Sequence, residues 1–566
     1  MTPAHTQYPD FANPELLEKI PLSARTILDV GCAQGALGAD YLRRNPSARV
    51  LGIDVDDEAI AHARERISEV FCGDVEKTPM PFSVPEGIDC IVYGDVLEHL
   101  VDPWALLAEH AKYLSPQGTV LVCMPNVEHW SFAAKLLTGN FDYEDQGLFD
   151  HTHLRWFTPR MMGKALADAG LELSDVAPRP IAREQAEQFI NLLAPGLQAI
   201  GVNPAEYLNR AVPLQFIWRA RKSAPERLEL NATMLTPQGG VSDVRVIEPI
   251  RALRTDSALL GSIASEVDLD PRLQDSPRIA VLHRPLLLGD SGLARLRTLM
   301  DKGYVVVSEF DDHPQFMEDR GVNLDELLTF RGVHAIQTST EALADALRPQ
   351  NPEIRVFQNG IFSLPLVNNF NDPDSLTLFF GALNRGPDWA PLMPVLNEVA
   401  RAVGGRLHFH VLLDENFYNA LETPHKRFDP MADYATYMRM LGEADIAFMP
   451  LADTPFNRAK SDLKFIEAGA ARVAALASNV VYAGTIQDGK TGMLFSNPAE
   501  LRAGLLRLLA YPEATRKMAD AARAYVAGER MLAYQVEART QWYRSLWERR
   551  AELTEALKAR VPELFA

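Results

Sequence analysis

The sequence predicts an α/β protein built of three consecutive Rossmann-like units. Its 566 residues are too many for one hydrophobic core; at roughly 100–200 residues per domain they imply about three compact bodies. Short apolar runs of strand character alternate with stretches of helical periodicity. Glycines and polar residues recur just after those runs, at the edge where doubly wound parallel sheets carry ligands.

The first predicted strand, Thr26–Val30, runs into the glycine turn Gly31-Cys32-Ala33-Gln34-Gly35, and a helical pattern follows through Leu37, Tyr41 and Leu42. Glycines there let backbone pass close to a ligand. The spacing G-x-x-x-G-x-x-G is not the G-x-G-x-x-G dinucleotide fingerprint, so a ligand without a pyrophosphate fits better. The second strand, Arg49–Ile53, ends in Asp54, placed about 20 residues past the turn to accept both hydroxyls of a ribose. Asp54 can also be read as a helix cap beside Asp56 and Asp57. A third segment ends in Gly73-Asp74-Val75-Glu76. A fourth, Ile88–Tyr93, ends in Gly94-Asp95-Val96-Leu97-Glu98-His99-Leu100, and a fifth, Thr119–Met124, in Pro125-Asn126. Helices are predicted at Asp57–Ser68 and Trp104–Leu114. An inserted helical stretch at about 183–210 precedes a closing strand, Pro213–Arg221.

These residues resemble the class I S-adenosylmethionine-dependent methyltransferases over about 15–222. DVGCAQGALG is similar to their glycine motif, and DVLEHLVDP to the segment after the fourth strand in the small-molecule O-methyltransferase branch. The resemblance implies S-adenosylmethionine as cofactor. Gly31, Ala33 and Gly35 would line the methionine moiety, and Asp29 would orient the loop or meet the amino group. Asp54 would bind the ribose, Asp74 the adenine side, and Asp95 would complete the cofactor set.

Transfer to oxygen requires a base of near-neutral pKa, which suits histidine. The candidates are His99 in EHL, and His151 and His153 in GLFDHTHLRWFTP, a stretch that also resembles the acceptor-side segment of that branch. Each can also be a satisfied structural histidine. The H-x-H spacing shows no third ligand, so no metal is predicted.

Residues 223–246 are polar and turn-rich and are read as a boundary, after which DVRVIEPIRAL resumes a strand–helix pattern. Strands are predicted at Arg278–Leu282, Tyr304–Glu309, Ala335–Thr338 and Arg355–Gln358. A second set lies at Leu376–Gly381, Leu407–Leu412, Ile446–Pro450, Val473–Ala477 and Met493–Phe495. Two such units in series, joined near 365–372, enclose a cleft suited to a ligand.

The stretch FNRAKSDLKFIEAGAAR has a helical apolar face, with Ser461 or Asp462 as cap and Lys460 before the first turn. A helix N-terminus beside a lysine favours phosphate, and Arg385 after LFFGALN is a second cation for a diphosphate. Lys460, Lys464 and Arg385 also fit plain solvated charges. Asp311, Asp312 and His313 in SEFDDHP are read as acceptor-side or structural.

This half resembles the GT-B glycosyltransferases, in particular the retaining family with the E-x7-E motif, over about 228–530. RVFQNGI, with Asn359 and Gly360, is similar to the turn between the domains, and FFGALNRGPDW to the start of the second domain. The helix of Glu467 followed by DGKTGMLF is similar to the donor-binding end. The resemblance implies a nucleotide-sugar donor held by Asn359, Gly360, Arg385, Lys460, Ser461 and Glu467, with Lys460 and Glu467 in catalytic roles and Glu467 on the ribose. The first Glu of the motif is replaced by Ala459. Asn457, Lys460 or Ser461 takes that place, or catalysis is lost.

The predicted division is 1–222, 223–368, 369–545 and a C-terminal helix in 546–566, the helical pattern there running over 536–561. The net charge of −19 argues against a nucleic-acid or anionic-membrane surface, since both need clustered Lys and Arg. No secretory leader and no run of about 18 apolar residues is evident. The four cysteines match no zinc pattern and read as reduced core residues. The expectation is a cytoplasmic bifunctional enzyme of glycan or surface-polysaccharide synthesis, methylating and transferring sugar to a glycan or lipid-linked acceptor, with peripheral membrane contact possible. The alternatives are a methyltransferase with a non-catalytic GT-B binding module, or one acting on a protein or small metabolite.

Overall fold

The computed structural model describes residues 10–180, 183–234, 239–267, 269–273, 275–324, 326–372 and 374–566. The chain forms two compact units. The first takes the described residues to Leu42, then Pro46–Glu226 and Thr255–Ala258; the second takes the rest.

The first unit carries one seven-stranded sheet. Its strands are β1 (Thr26–Val30), β2 (Arg49–Asp54), β3 (Glu69–Cys72), β4 (Ile88–Gly94), β5 (Leu114–Pro125), β6 (Glu172–Pro180) and β7 (Pro213–Arg221). Their order is β3-β2-β1-β4-β5-β7-β6, with β7 antiparallel to β5 and β6 and the other pairs parallel. The inner strands are buried on both faces, so they read as continuous apolar runs. The sequence does not reveal β6, because ELSDVAPRP is polar and proline-bearing, as an edge strand can be. Strand order reverses between β1 and β4. The crevice outside their carboxyl ends is where such sheets take ligands.

The second unit carries two wholly parallel six-stranded sheets. One is built of β8 (Leu228–Met234), β9 (Leu259–Ala264), β10 (Arg278–His283), β11 (Val305–Glu309), β12 (Ala335–Thr338) and β13 (Ile354–Val356), in the order β13-β12-β11-β10-β8-β9. The other is built of β14 (Leu376–Gly381), β15 (Leu407–Leu412), β16 (Lys426–Asp429), β17 (Ile446–Met449), β18 (Ala474–Ser478) and β19 (Met493–Phe495), in the order β16-β15-β14-β17-β18-β19. The second order reverses between β14 and β17, as in dinucleotide-binding sheets.

Four expectations change here. The polar stretch read as a boundary does hold the division between the units, after Glu226, but most of it belongs to the second unit and contains β8, a buried inner strand of its sheet. Its Glu229, Asn231 and Thr233 are almost wholly buried, and Asn231 and Glu229 are hydrogen-bonded to Tyr304 and to the backbone of Arg272 and Leu273. DVRVIEPIRAL contains no strand: Asp243–Ile247 is a π-helical turn running straight into the helix Glu248–Arg254. The helical pattern over 536–561 is two helices, Val536–Glu548 and Arg550–Arg560. Tyr543 bonds Gln337 of β12, and Leu557, Val561 and Leu564 join the core of the β8–β13 sheet, so a boundary at 545 divides elements that pack on one sheet. Of the four free cysteines, Cys32, Cys90 and Cys123 are buried, but Cys72 is exposed.

Candidate functional site

In the first unit the glycine turn is shaped by three left-handed residues: Gly31 at φ +73°, Ala33 at +44° and Gly35 at +78°. A Cβ on Gly31 would lie 2.3 Å from Val96 Cγ2, so both the conformation and the space demand glycine. The turn hangs on β2: the N–H groups of Gly31 and Cys32 donate to the Ile53 carbonyl at 2.8 and 3.1 Å. Ala33 N–H donates to Asp54 Oδ2 at 2.8 Å, and Asp56 N–H to Asp54 Oδ1 at 3.0 Å. Each carboxylate oxygen of Asp54 keeps a further lone pair, so the residue can hold the turn and accept from a ribose together. It does not cap the following helix; Asp56 does. Gly73 N–H donates to the Asp54 carbonyl, which sets the Asp74 turn beside it. Asp74 is ion-paired to Lys77 at 2.6 Å, which holds its carboxyl below the usual range.

Asp29, on β1 beneath the turn, is 4% exposed. Burial, with Asp54 nearby, pushes its pKa up to about 7. Asp95 has φ +56° and lies at the carboxyl end of β4, hydrogen-bonded by Gln215. The residue is exposed as a whole while its carboxyl is packed about by protein, and desolvation, partly offset by Arg179, pushes it up to about 6.

Beyond Asp95 the chain makes one 3-10 turn, Leu97–His99. The Glu98 carbonyl accepts from Leu154 and Arg155 N–H at 2.7 and 2.9 Å, which folds the 151–155 segment back over the turn. His99 and His153 thereby meet edge to face, with centroids 4.8 Å apart. Glu98 is 1% exposed, and neither of its carboxylate oxygens has a hydrogen-bond partner. Burial first, then Asp95, raises its pKa well above the usual carboxylate range. Burial lowers the pKa of His99 and of His153, so the neutral imidazoles are favoured. His151 is turned elsewhere: it is exposed, with Nδ1 3.3 Å from the Glu144 carbonyl, and it does not join the cluster. The sequence reading missed Glu98. Its signal was the EHL tripeptide itself, read for its histidine alone.

In the second unit Glu467 is 1% exposed on the helix Leu463–Ala470, accepting from the Tyr437 hydroxyl at 2.7 Å with Lys464 at 3.4 Å. Glu248, absent from the sequence reading, lies close enough to repel it. Burial first, with Asp243 and Glu467, pushes Glu248 up to about 8, and its Oε2 is unpartnered. Neither expected cap closes this helix. Asp462 instead pairs with Arg530 and accepts from Thr485, and Ser461 accepts from Asn359 at 2.8 Å. Asn359 is 2% exposed and also accepts from Arg245 at 2.8 Å, so its side chain ties β8–β13 elements to the Glu467 helix and is not open to a donor. Gly360 is buried too, and a Cβ there would sit 3.0 Å from Gln535.

Arg385, just past β14, donates to Asp388 and Asn457 at 3.2 and 3.3 Å. Lys460 lies 3.3 Å from Asp312, which Arg284 also pairs, and burial lowers its pKa. Asn457 donates to Asp388 at 2.8 Å. Ala459 is buried, and its carbonyl accepts from Thr340 at 2.9 Å. Of the residues offered for the missing acid's place, Lys460 alone brings a charge.

Residues 6–176 match the model of a methyltransferase domain. A probable S-adenosylmethionine-dependent methyltransferase of Mycolicibacterium smegmatis is 34% identical over 106 residues, which cover 18% of this chain and 39% of the relative. A ubiquinone biosynthesis O-methyltransferase of Stutzerimonas stutzeri is 25% identical over 163 residues, 28% of this chain and 69% of the relative. The chain thus spans 39% of the length of the first of these relatives and 69% of the second. Among solved structures, the plantazolicin methyltransferase BpumL in complex with SAH is 20% identical, over 37% of this chain and 84% of that one, with a TM-score of 0.26. A mutant of S. aureus TarM, in complex with Fondaparinux, alpha-GlcNAc-glycerol and UDP, is 12% identical over 47% of this chain and 55% of that one, with a TM-score of 0.36.

Proposed function

We propose that this chain joins an S-adenosylmethionine-dependent O-methyltransferase, the first unit, to a glycosyltransferase using a nucleotide-sugar donor, the second unit. Both act on one glycan or lipid-linked sugar in the cytoplasm. The observation that carries the first half is the turn of Gly31, Ala33 and Gly35 bound to Asp54 at the β1/β4 reversal, within a stretch that matches a methyltransferase domain. S-adenosylmethionine supplies the electrophilic methyl group. Asp54 would hold its ribose, Asp74 would lie on its adenine side, and Asp29 would meet its ammonium. An acceptor hydroxyl would enter over Asp95 toward Glu98, His99 and His153, where a neutral imidazole would take its proton.

The second half is supported by buried Glu467 with Arg385 and Lys460 at the β14/β17 reversal. The helix N-terminus and the two cations offset the diphosphate leaving group, and Glu467 accepts from the donor ribose. A second reading is favoured by Ala459 and by the pairing of Lys460 with Asp312: the second unit binds a nucleotide sugar or glycan without transferring it.

Calorimetry with S-adenosylhomocysteine and with UDP, GDP and dTDP tests both halves. Two independent sites are expected, one lost in Asp54→Ala and the other in Glu467→Ala. Binding of S-adenosylhomocysteine with no nucleotide removes the transferase claim. Nucleotide binding without sugar-nucleotide turnover selects the binding module.

A further inference from the structure

We propose that Glu98, His99 and His153 form a binding site for one divalent transition-metal ion of the zinc class. One nitrogen of each ring and a Glu98 carboxylate oxygen lie within 4.8 Å of one another, the one such grouping of three among the described residues. With metal–ligand bonds of about 2.1 Å, ligands on a common ion stand roughly 3–4 Å apart. Side-chain shifts of about 1 Å therefore close the site.

The hydrogen bonding leaves one nitrogen of each ring without a protein partner. His99 Nδ1 faces the Thr152 carbonyl at 3.3 Å, an acceptor only, so Nδ1 carries the proton and Nε2 keeps its lone pair. Thr152 Oγ1 is 2.9 Å from the same nitrogen and donates to Asp150 at 2.7 Å, which completes a carbonyl–hydroxyl–carboxylate support behind the ring. Metal-binding histidines are commonly oriented in this way. His153 Nδ1 is buried with no partner. Glu98 is buried with both oxygens unpartnered, a costly state for a carboxyl that lacks a cation or donor. Asp95 and Asp150 add negative potential around it. Two imidazoles and one carboxylate suit zinc, cobalt or iron(II) better than magnesium, and they leave coordination positions open.

This deepens the methyltransferase reading and, for its chemical role alone, rests on it: with both imidazoles on the ion neither would serve as the base, and an open position on the ion would instead take the acceptor hydroxyl and lower its pKa, the proton leaving to solvent.

The test titrates tag-free, chelator-stripped full-length chain with Co2+ and follows its visible d–d absorption, with Zn2+ as competitor. One equivalent is expected to bind and Zn2+ to displace it. Glu98→Gln and His153→Ala should weaken binding about 100-fold, and Thr152→Val, behind His99, about tenfold. Isosteric Glu98→Gln with unchanged thermal unfolding separates loss of a ligand from loss of fold. The proposal falls if the wild-type chain gives no cobalt spectrum, or if Glu98→Gln binds cobalt as the wild type does through others of the chain's 13 histidines. S-adenosylhomocysteine binding in the same samples keeps the two claims apart. Its presence without cobalt binding leaves the methyltransferase reading standing, and cobalt binding without it leaves only the metal site.

Discussion

The two candidate ligand regions differ in how their charges are met. Around the glycine turn Asp74 pairs with Lys77 and Asp54 holds two N–H groups, but Asp29 and Glu98 are buried with no ion pair, and Asp95 is hydrogen-bonded by Gln215 with Arg179 acting on it from nearby. Around the Glu467 helix almost every charge is already paired, Lys460 with Asp312, Arg385 with Asp388, Asp462 with Arg530, and Glu467 with Tyr437 and Lys464. A cationic ligand entering the first region gains new interactions outright. An anionic ligand entering the second must exchange one set of ion pairs for another. The first region therefore offers acids without an ion pair to a cation, whereas the second would meet an anion with its cations already paired.

The largest effect should come from breaking the paired region at its most buried point. Arg245 and Glu309 are almost fully buried and 2.7 Å apart; His283 holds the other Glu309 oxygen at 2.7 Å, and Arg245 also reaches Phe357 and Asn359. Removing one partner strands the other in the core. Arg245→Ala should cost about 3–5 kcal/mol in the unfolding transition of the second unit, measured by urea titration. A cost under about 1 kcal/mol would mean that the network is not what holds Asn359 and the Glu467 helix in place.

Next in size is the loss of a contact that only the ligand completes. Asp54→Ala would remove the two charge-assisted bonds proposed to a ribose, and it also frees the turn. S-adenosylhomocysteine affinity should fall at least about 100-fold, on the basis of roughly 1.5–3 kcal/mol for each of the two hydrogen bonds to a charged group, while nucleotide binding stays unchanged. Glu467→Ala should lower nucleotide affinity about tenfold to thirtyfold, less than Asp54→Ala, because Tyr437 and Lys464 lose a partner in the free protein as well. Equal losses in the two variants would erase the contrast between the regions.

The fold was legible wherever burial on both faces makes a strand a continuous apolar run. Thr26–Val30, Ala335–Thr338, Leu376–Gly381 and Leu407–Leu412 coincide with strands of the sheets. It was not legible in LELNATM, where Glu229 and Asn231 look solvated but bond to Arg272, Leu273 and Tyr304, residues that only the fold brings near. The same limit applies to the sites. The glycine turn and Asp54 are local in sequence and could be read from it. Glu98 becomes informative only when Leu154 and Arg155 bind its carbonyl and carry His153 to it. Asn359 read as a ligand contact because RVFQNGI resembles the turn between GT-B domains; its buried bonds to Arg245 and Ser461 depend on two distant segments.

The smallest predicted effect tests most directly whether the first region awaits a cation. Asp29 has a pKa of about 7 in the free protein, because burial disfavours its charge and Asp54 adds repulsion. An ammonium placed beside it favours the ionised form and lowers that pKa in the complex. Where the free carboxyl is protonated, binding must first remove the proton, so affinity falls as pH drops below about 7 and levels off above it. From pH 8 to pH 6 the ionised fraction of a group at pKa 7 falls about tenfold, and S-adenosylhomocysteine affinity should fall by about the same factor, with proton release on binding near pH 7 visible as buffer-dependent heat. Asp29→Asn should flatten this profile and abolish the release. A flat profile in the wild type would place the ammonium elsewhere, and Asp29 would then be a neutral buried acid that shapes the turn without meeting the ligand.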